Sequence, residues 1–376
     1  MKIRAGVTLI LIGLSLAPHP LFAASGTEAA AFLEIPVGGR PAAMGDAYSA
    51  MADDAYATTS NPGGLGFLKS TQLAGQHLAY LESIHYEYLS FVHPLQPGSA
   101  IGVSAQYLGS GDIAQTDFQG TTLGQFSTHF GAYSLAYGHT LGDKLSLGVA
   151  AKVIDAKIAD VGARAYAADV GSMYRVNDKL NLAAVLTNAG TKLTFLNAGG
   201  TLPLAFKLGT AWLPNRWWRL SLEGVYQNTG VTSGHAGLEW KPISMVAIRA
   251  GYRTDTLKEN TAMAGLTTGI GVQMWGQELS YAWVPYGDLG NTQYFSILLK
   301  FDGEDEEKRN LIQYQNIRTH RTAFKSDPFE TDHALPAKSG AYSPADDVPG
   351  MEQLLQLFDE KEKAVVKSLA VDEKSQ

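Results

Sequence analysis

Between Ser70 and Phe301 the chain alternates apolar and polar residues with a period of two, segment after segment. In "LSLGVAAKV" Leu145, Leu147, Val149, Ala151 and Val153 share one face, and Ser146, Gly148, Ala150 and Lys152 share the other. In "WRLSLEGVY" Trp218, Leu220, Leu222 and Tyr226 oppose Arg219, Ser221 and Glu223. In "MVAIRAGYR" Val246, Ile248, Ala250 and Tyr252 oppose Arg249, Gly251 and Arg253. Side chains on a strand point to opposite faces in turn, so this period predicts strands. They fall at about 70–83, 84–95, 99–111, 125–141, 143–158, 162–176 and 179–190 in the first half. The second half adds 203–213, 217–228, 233–242, 244–254, 261–275, 277–287 and 291–301, which makes fourteen.

The links between these segments also take turns. "HPLQPGS", "LGDK", "VNDK", "LPNR", "KPIS" and "GQ" are short and rich in turn residues, whereas "SGDIAQTDFQGTTLGQ" and "NAGTKLTFLNAGGTL" are long. A soluble sandwich has no need of that alternation; a transmembrane barrel has short turns at one end and longer loops at the other. A charged residue facing the lumen between apolar residues facing lipid is what its wall requires, and Glu223, Arg249 and Arg253 occupy such positions. The predicted fold is all-β: a transmembrane antiparallel β-barrel of about fourteen strands, with an N-terminal lumen plug and a periplasmic C-terminal extension.

Composition agrees. Charged residues make up only 17 % of the chain, against roughly 25 % in an average soluble domain. The first 24 residues have a basic start (Lys2, Arg4), an apolar run from Val7 to Leu16 and small residues at Ala23 and Ala24, the pattern of a secretory signal peptide. No later run is long and apolar enough for a helical span, and there is no cysteine for a lipid anchor or a disulfide. No basic stripe exists to neutralise phosphates, so nucleic acid is not an expected partner.

The last strand ends abruptly. Phe295, Ile297, Leu299 and Phe301 alternate with Tyr294, Ser296, Leu298 and Lys300, and then Asp302, Glu304, Asp305, Glu306 and Glu307 arrive as one acidic block. Residues 302–376 hold 16 acidic and 10 basic side chains, a net of −6 out of −7 for the whole chain. Such a block cannot sit in hydrocarbon, so the chain leaves the membrane at Phe301. Both ends of an even-stranded barrel emerge on the short-turn side, which is periplasmic.

After the block, residues 302–349 read as an acidic, flexible linker, polar and interrupted by proline. Residues 350–371 then turn helical, with Met351, Leu354, Leu355, Phe358, Val365 and Leu369 on one stripe, before a disordered end at 372–376. A lone amphipathic helix draws most of its stability from what covers its stripe. The barrel mouth, a second copy of the helix or another periplasmic protein could supply that cover.

Two stretches carry a family likeness. "EIPVGGRPAAMGDAYSAMADDAYATTSNPGGLGFL" (Glu34–Leu68) resembles the N-terminal region of the PorV/PorQ family, within the FadL-like group of outer-membrane barrels. "LSYAWVPYGDLGNTQYFSILLKF" (Leu279–Phe301) is similar to the pattern that closes those barrels. The resemblance covers residues 26–301 and implies that residues 25–69 fold into the lumen of a barrel at 70–301 as a hatch. Asn61 and Pro62 match the Asn-Pro of the FadL-like hatch, which suggests a role in gating or in fixing the plug. From the residues themselves, Ala42, Ala43, Ala47, Ala50, Ala52 and Ala55 suit a short, tightly packed helix, and Asn61, Pro62, Gly63 and Gly64 form a breaker. The bland reading of that breaker is a periplasmic turn.

Asp53 and Asp54 lack the oxygen-rich spacing of a calcium loop, so a metal is not expected; they are expected to bond the plug backbone or to pair with Arg249 or Arg253. Among the histidines, His129 shares a face with Ser127, but no Gly-x-Ser-x-Gly elbow or zinc spacing accompanies it, and neither an enzyme nor a cofactor is expected. Tyr86, Tyr88, Trp212, Trp217, Trp218, Trp240, Trp275, Trp283 and Tyr286 read as an aromatic girdle at the membrane interface. Beyond outer-membrane lipid, the resemblance implies a protein partner or cargo, in the sense of export through a type IX-like system. The alternatives are a FadL-like transporter for a small hydrophobic ligand, and a structural anchor that docks a periplasmic partner through its tail.

Overall fold

Strand β1 (Thr71–Ala79) pairs along its whole length with β18 (Asn291–Phe301), from Thr71 against Phe301 to Ala79 against Gln293, and that pairing closes the sheet on itself. The computed structural model that shows this describes residues 28–80, 83–230, 232–255, 265–285 and 290–301. Between the closing strands run β2 (His85–Gln96), β3 (Ser99–Gly109), β4 (Ile113–Thr116), β5 (Thr122–Phe126), β6 (Thr128–Leu141) and β7 (Leu145–Ile158). Then come β8 (Val161–Asn177), β9 (Leu180–Gly190), β10 (Leu193–Phe195), β11 (Ala198–Gly200), β12 (Ala205–Trp212) and β13 (Trp218–Gln227). The last are β14 (Thr232–Ile243), β15 (Val246–Arg253), β16 (Leu266–Met274) and β17 (Gln277–Pro285).

Fourteen of these strands form the closed antiparallel barrel, in the order β1-β18-β17-β16-β15-β14-β13-β12-β9-β8-β7-β6-β3-β2. They are the fourteen that the alternation predicts. The other four make two small hairpins, β4–β5 and β10–β11, within the two long links. The first is turned by Asp117, whose Oδ1 accepts the backbone N–H of Gln119 at 2.9 Å and of Thr121 at 2.8 Å. The strands of both hairpins are three to five residues long, too short to show a period of two.

The two faces of the wall differ as the period requires. Outward Leu89, Val149, Leu222 and Leu279 are each more than half exposed (55 %, 54 %, 60 % and 54 %), within an apolar surface that continues around the barrel. Soluble monomers rarely expose contiguous apolar patches above a few hundred Å², whereas a wall that faces hydrocarbon must do so. Inward positions carry polar side chains such as Gln72, Gln76, Ser104, Lys152, Glu223, Glu239 and Arg249, all buried. Phe295, Ile297 and Phe301 of β18 are exposed on the outer face and Leu299 half-buried there, with Phe295 packed on Tyr281 at 5.2 Å between ring centres.

Trp212, Trp218, Trp240 and Trp275 lie exposed near the short turns, and Trp218 stacks on Trp240 at 5.5 Å, as in an interfacial girdle. Tyr86 and Tyr88 do not belong to it. Even-numbered positions of β2 point inward, so both rings are buried, and the Tyr88 hydroxyl lies 2.7 Å from Thr58 Oγ1.

Inside the wall runs the N-terminal segment, residues 28–70. Its short helical turns are Ala31–Glu34, Gly39–Ala43, Ser49–Met51, Ala57–Ser60 and Pro62–Phe67. The expected alanine-rich helix is thus broken into pieces, because Gly45 (φ 64°) and Asp46 (φ 60°) both take left-handed backbone between the second and third. The alanines are nevertheless all buried, with Ala42, Ala43, Ala47, Ala50, Ala52 and Ala55 at 2 % exposure or less. The expected signal peptide, Tyr286, the acidic block, the linker and the tail helix with Leu354, Leu355, Phe358, Val365 and Leu369 lie outside the described residues.

Candidate functional site

The N-terminal segment touches the wall where the wall has no side chains. Gly138 on β6 pairs with Gly148 on β7, which pairs with Gly171 on β8, so three inward glycines form a lateral row. Asn61, Pro62, Gly63 and Leu65 lie in that row. A Cβ on Gly148 would come within 2.2 Å of the Pro62 carbonyl, one on Gly138 within 2.7 Å of Pro62 O and Leu65 Cβ, and one on Gly171 within 2.2 Å of Asn61 Oδ1. The Asn-Pro-Gly-Gly stretch is therefore more than a breaker. Asn61 Oδ1 accepts the Gly63 N–H at 2.9 Å and so starts the helical turn at Pro62, while its Nδ2 donates to Ser49 O at 2.8 Å and to Ser172 O on the wall at 3.1 Å. Gly64 is pressed on the segment itself, since a Cβ there would lie 2.0 Å from Ala52 O.

A second seat holds Met44 and Gly45 against Gly237 and Gly251, which face each other on β14 and β15. Gly45 N donates to Thr267 Oγ1 at 3.0 Å, and that hydroxyl donates to Ala43 O at 2.9 Å. Nearby, Gly39 N donates to Ser296 Oγ at 2.9 Å and Gly38 N to Gln76 Oε1.

Between the two seats the contact is ionic. Arg40 Nε donates to Glu239 Oε2 on β14 at 3.0 Å, and its Nη1 donates to Asp53 Oδ1 at 2.6 Å, Tyr48 OH at 3.0 Å and Asp54 Oδ2 at 3.3 Å. Tyr48 OH donates to Asp54 Oδ2 at 2.5 Å, and Asp54 Oδ1 accepts the Tyr56 N–H at 3.1 Å. One arginine thus joins the segment to itself and to the wall. Glu239 is shared further, with Arg249 Nε at 2.8 Å and Arg219 Nη1 at 3.4 Å. Beside the network, Glu223 accepts the Ser49 N–H at 2.8 Å.

The expected pairing of Asp53 and Asp54 with Arg249 or Arg253 is replaced by pairing with Arg40, and with Arg219 for Asp53 (3.4 Å). The reason is register. Arg249 lies opposite Glu239 and also bonds Glu278 at 2.6 Å, so wall carboxylates already occupy it, and Arg253 is held by Asp255 at 2.5 Å. Arg40 and Glu239 went unnoticed in the sequence. The available signal was a lone arginine in the small-residue run "VGGRPAAMG", where only a buried partner would justify a charge.

The carboxyls of the segment titrate apart. Burial pushes Asp54 up to about 6, with Arg40 pulling down against ionised Asp53. Burial acts on Asp53 too, but Arg40 and Arg219 outweigh it and hold this half-exposed carboxyl at about 2. Burial and the nearby Glu28 raise Glu34, which accepts Gln227 Nε2 at 2.5 Å, to about 7. A carboxyl raised in the seated state favours seating fully below its ordinary value, and that contribution is lost as pH rises through the seated value. Asp53 acts in the opposite sense, losing its contribution as pH falls toward 2. A spin label at Thr59 is therefore expected to gain mobility as pH rises from about 4 to about 7. The double variant Asp54→Asn, Glu34→Gln should flatten that rise, and an unchanged rise would remove both groups from the account.

Toward the long-loop end the segment leaves a cavity of about 70 Å³, lined by Glu34, Gln106, Lys152, Lys207, His235 and Arg253 among others. That is room for a few waters; an engineered apolar cavity that binds benzene is about 150 Å³. Among the described residues no group of three His, Asp or Glu side chains is arranged to hold a metal ion.

A family model described as an uncharacterised protein family, UPF0164, matches residues 23–157. That stretch covers the N-terminal segment and the wall from β1 to β7, including two of the three glycines in the first seat. No curated protein matches the sequence. Among solved structures, the Ralstonia pickettii toluene transporter TbuX is 12 % identical, with 70 % of this chain and 98 % of that one covered and a TM-score of 0.50. The CymD monoaromatic hydrocarbon channel is 14 % identical, with coverage of 72 % and 99 % and a TM-score of 0.50. A Pseudomonas aeruginosa FadL homologue is 12 % identical, with coverage of 71 % and 99 % and a TM-score of 0.49. At such identity the likeness shows the fold alone, a closed β-barrel of the kind seen in TbuX and CymD.

Proposed function

We propose that the chain is an outer-membrane channel for a small, predominantly hydrophobic molecule, and that residues 28–70 are its movable hatch. The observation that carries this reading is the seating itself. The segment occupies the lumen on two glycine seats and one arginine-centred ion network, and the cavity beside it lined by Glu34, Lys152, Lys207 and His235 is smaller than a monoaromatic ring needs. Passage through the lumen therefore requires the segment to move. The shared architecture with TbuX and CymD supports a small hydrophobic cargo, and the apolar outer face supports residence in the outer membrane with both mature ends in the periplasm.

A second reading, PorV/PorQ-type association with protein export, has one observation on its side. Among the described residues the lumen is crowded by buried charged and polar side chains, Arg40, Asp54, Lys152, Asp169, Glu223, Glu239 and Arg249 among them. The discriminating experiment is toluene entry into proteoliposomes that carry the full chain or a chain lacking residues 28–69. Channel function predicts faster entry than in empty vesicles, and faster still without the segment. Entry at the rate of empty vesicles in both preparations, with a protein co-purifying from the native membrane, would overturn it in favour of export.

A further inference from the structure

The short-turn mouth of the barrel carries cations that its own carboxylates do not balance. Arg175 on β8, Arg219 on β13, Lys241 on β14 and Lys300 on β18 all take inward positions within a few residues of a short turn or of the last strand's end. Glu239 is fully buried and is one carboxylate shared among four cations, Arg40 (3.0 Å), Arg249 (2.8 Å), Arg219 (3.4 Å) and Lys241 (4.0 Å), and Glu278 is held by Arg249. Asp53 is half-exposed and is shared by Arg40 and Arg219, while Asp143 and Asp178 lie exposed in the short turns. Among the described residues no carboxylate lies within 4.0 Å of Arg175 or Lys300; the Arg175 guanidinium rests over the Phe67 ring at 3.7 Å.

The most acidic stretch of the chain begins two residues after Lys300, with Asp302, Glu304, Asp305, Glu306 and Glu307. We propose that this stretch docks on the basic mouth of its own barrel, with Lys300, Lys241 and Arg219 as its principal contacts. Reach permits it. Lys241 and Arg219 lie four and five strands round the wall from Lys300. For strands about 4.8 Å apart and tilted as in known barrels, that is roughly 20–25 Å across the mouth. Six extended residues span about 20 Å, and the side chains on both sides cover the remainder.

Affinity permits it as well. An exposed ion pair contributes little in isolation, but this partner is tethered beside its site, at an effective concentration in the millimolar range or above. Several such pairs form together at a mouth narrowed by protein walls. The block then has a role that the barrel alone would not give it: it completes the charge of the wall at the point where the chain leaves the membrane.

The chain has no cysteine, so two can be introduced as spin-label sites, at Gly303 beside the acids and at Asn177 at the end of β8. In the full chain at about 0.05 M salt, the inter-label distance distribution is expected to hold one narrow peak. That peak should be lost when the five acids become Asn and Gln, when Arg219 and Lys241 both become Gln, and at about 1 M salt, where screening acts within about 3 Å. The acid replacements lie beyond the barrel, and unchanged heat-modifiable migration would verify its fold. A broad distribution under every condition would overturn the proposal, as would a narrow peak indifferent to charge and salt. An acidic protein or an anionic lipid retained at the mouth while the block moves freely would overturn it too, by assigning the cations to another occupant.

Discussion

Arg40→Gln is expected to release the N-terminal segment and turn a quiet barrel into a conducting one. Arg40 is buried and compensates Glu239 of the wall together with Asp53 and Asp54 of the segment. Removing one partner of a buried ionic cluster typically costs about 3–5 kcal/mol, because the opposite charges stay buried without compensation. Since each 1.4 kcal/mol is tenfold, the ratio of seated to released segment should fall by about a hundred- to a few thousandfold. Glu239 keeps Arg249 and Arg219, so the wall itself should remain folded. Single-channel recording in planar bilayers reads the effect as a rise in open time. Arg164→Gln removes an exposed pair with Asp155 and should leave the recording unchanged. Equal conductance in wild type and Arg40→Gln, with an intact barrel, would show that the arginine is not what holds the segment.

Gly148→Val tests the glycine seat from the other side of the contact. A Cβ there meets the Pro62 carbonyl at 2.2 Å and Gly63 N at 2.5 Å, both backbone atoms with no rotamer to yield. Overpacking usually costs about 1–3 kcal/mol, and more where neighbours cannot relax. Strand propensity pulls the other way, since valine suits a strand better than glycine, so the barrel should assemble as well as before or better. The expected result is a folded, heat-modifiable barrel whose N-terminal segment is cut by added protease, where the wild-type segment resists. Gly224→Val on the outer face, where a Cβ meets nothing within 4 Å, should keep the segment protected. Protection in both variants would mean that the Asn-Pro-Gly-Gly turn is not seated on that row.

The wall was legible in the sequence because each strand announces itself twice, by a period of two and by the turn residues at its short end. Leu145 to Val153 alternate in burial as their chemistry predicts, and the same holds for Trp218 to Tyr226 and Val246 to Arg253. Pairings across the lumen were not legible. Arg40 and Glu239 stand 199 residues apart, and nothing local in either stretch names the other. The glycine row was hidden for a related reason. Gly138, Gly148 and Gly171 each look like an unremarkable inward small residue until strand register brings them side by side. Tyr86 and Tyr88 were misplaced because aromatic chemistry suits the interface and the lumen equally, and only the parity of β2 decides between them.

Movement of the segment during passage of cargo can be read from a single introduced thiol, because the chain has no native cysteine. Thr58→Cys puts a thiol at a fully buried position between the segment and β2, beside Tyr88 and Gly102. Its rate of modification by a membrane-impermeant maleimide should be slow in the resting barrel and should rise in the presence of toluene, and Arg40→Gln should raise the resting rate to the same level. A thiol that stays equally unreactive with toluene, with other small hydrophobic molecules and in the Arg40 variant would contradict the account, leaving the segment a fixed part of the wall.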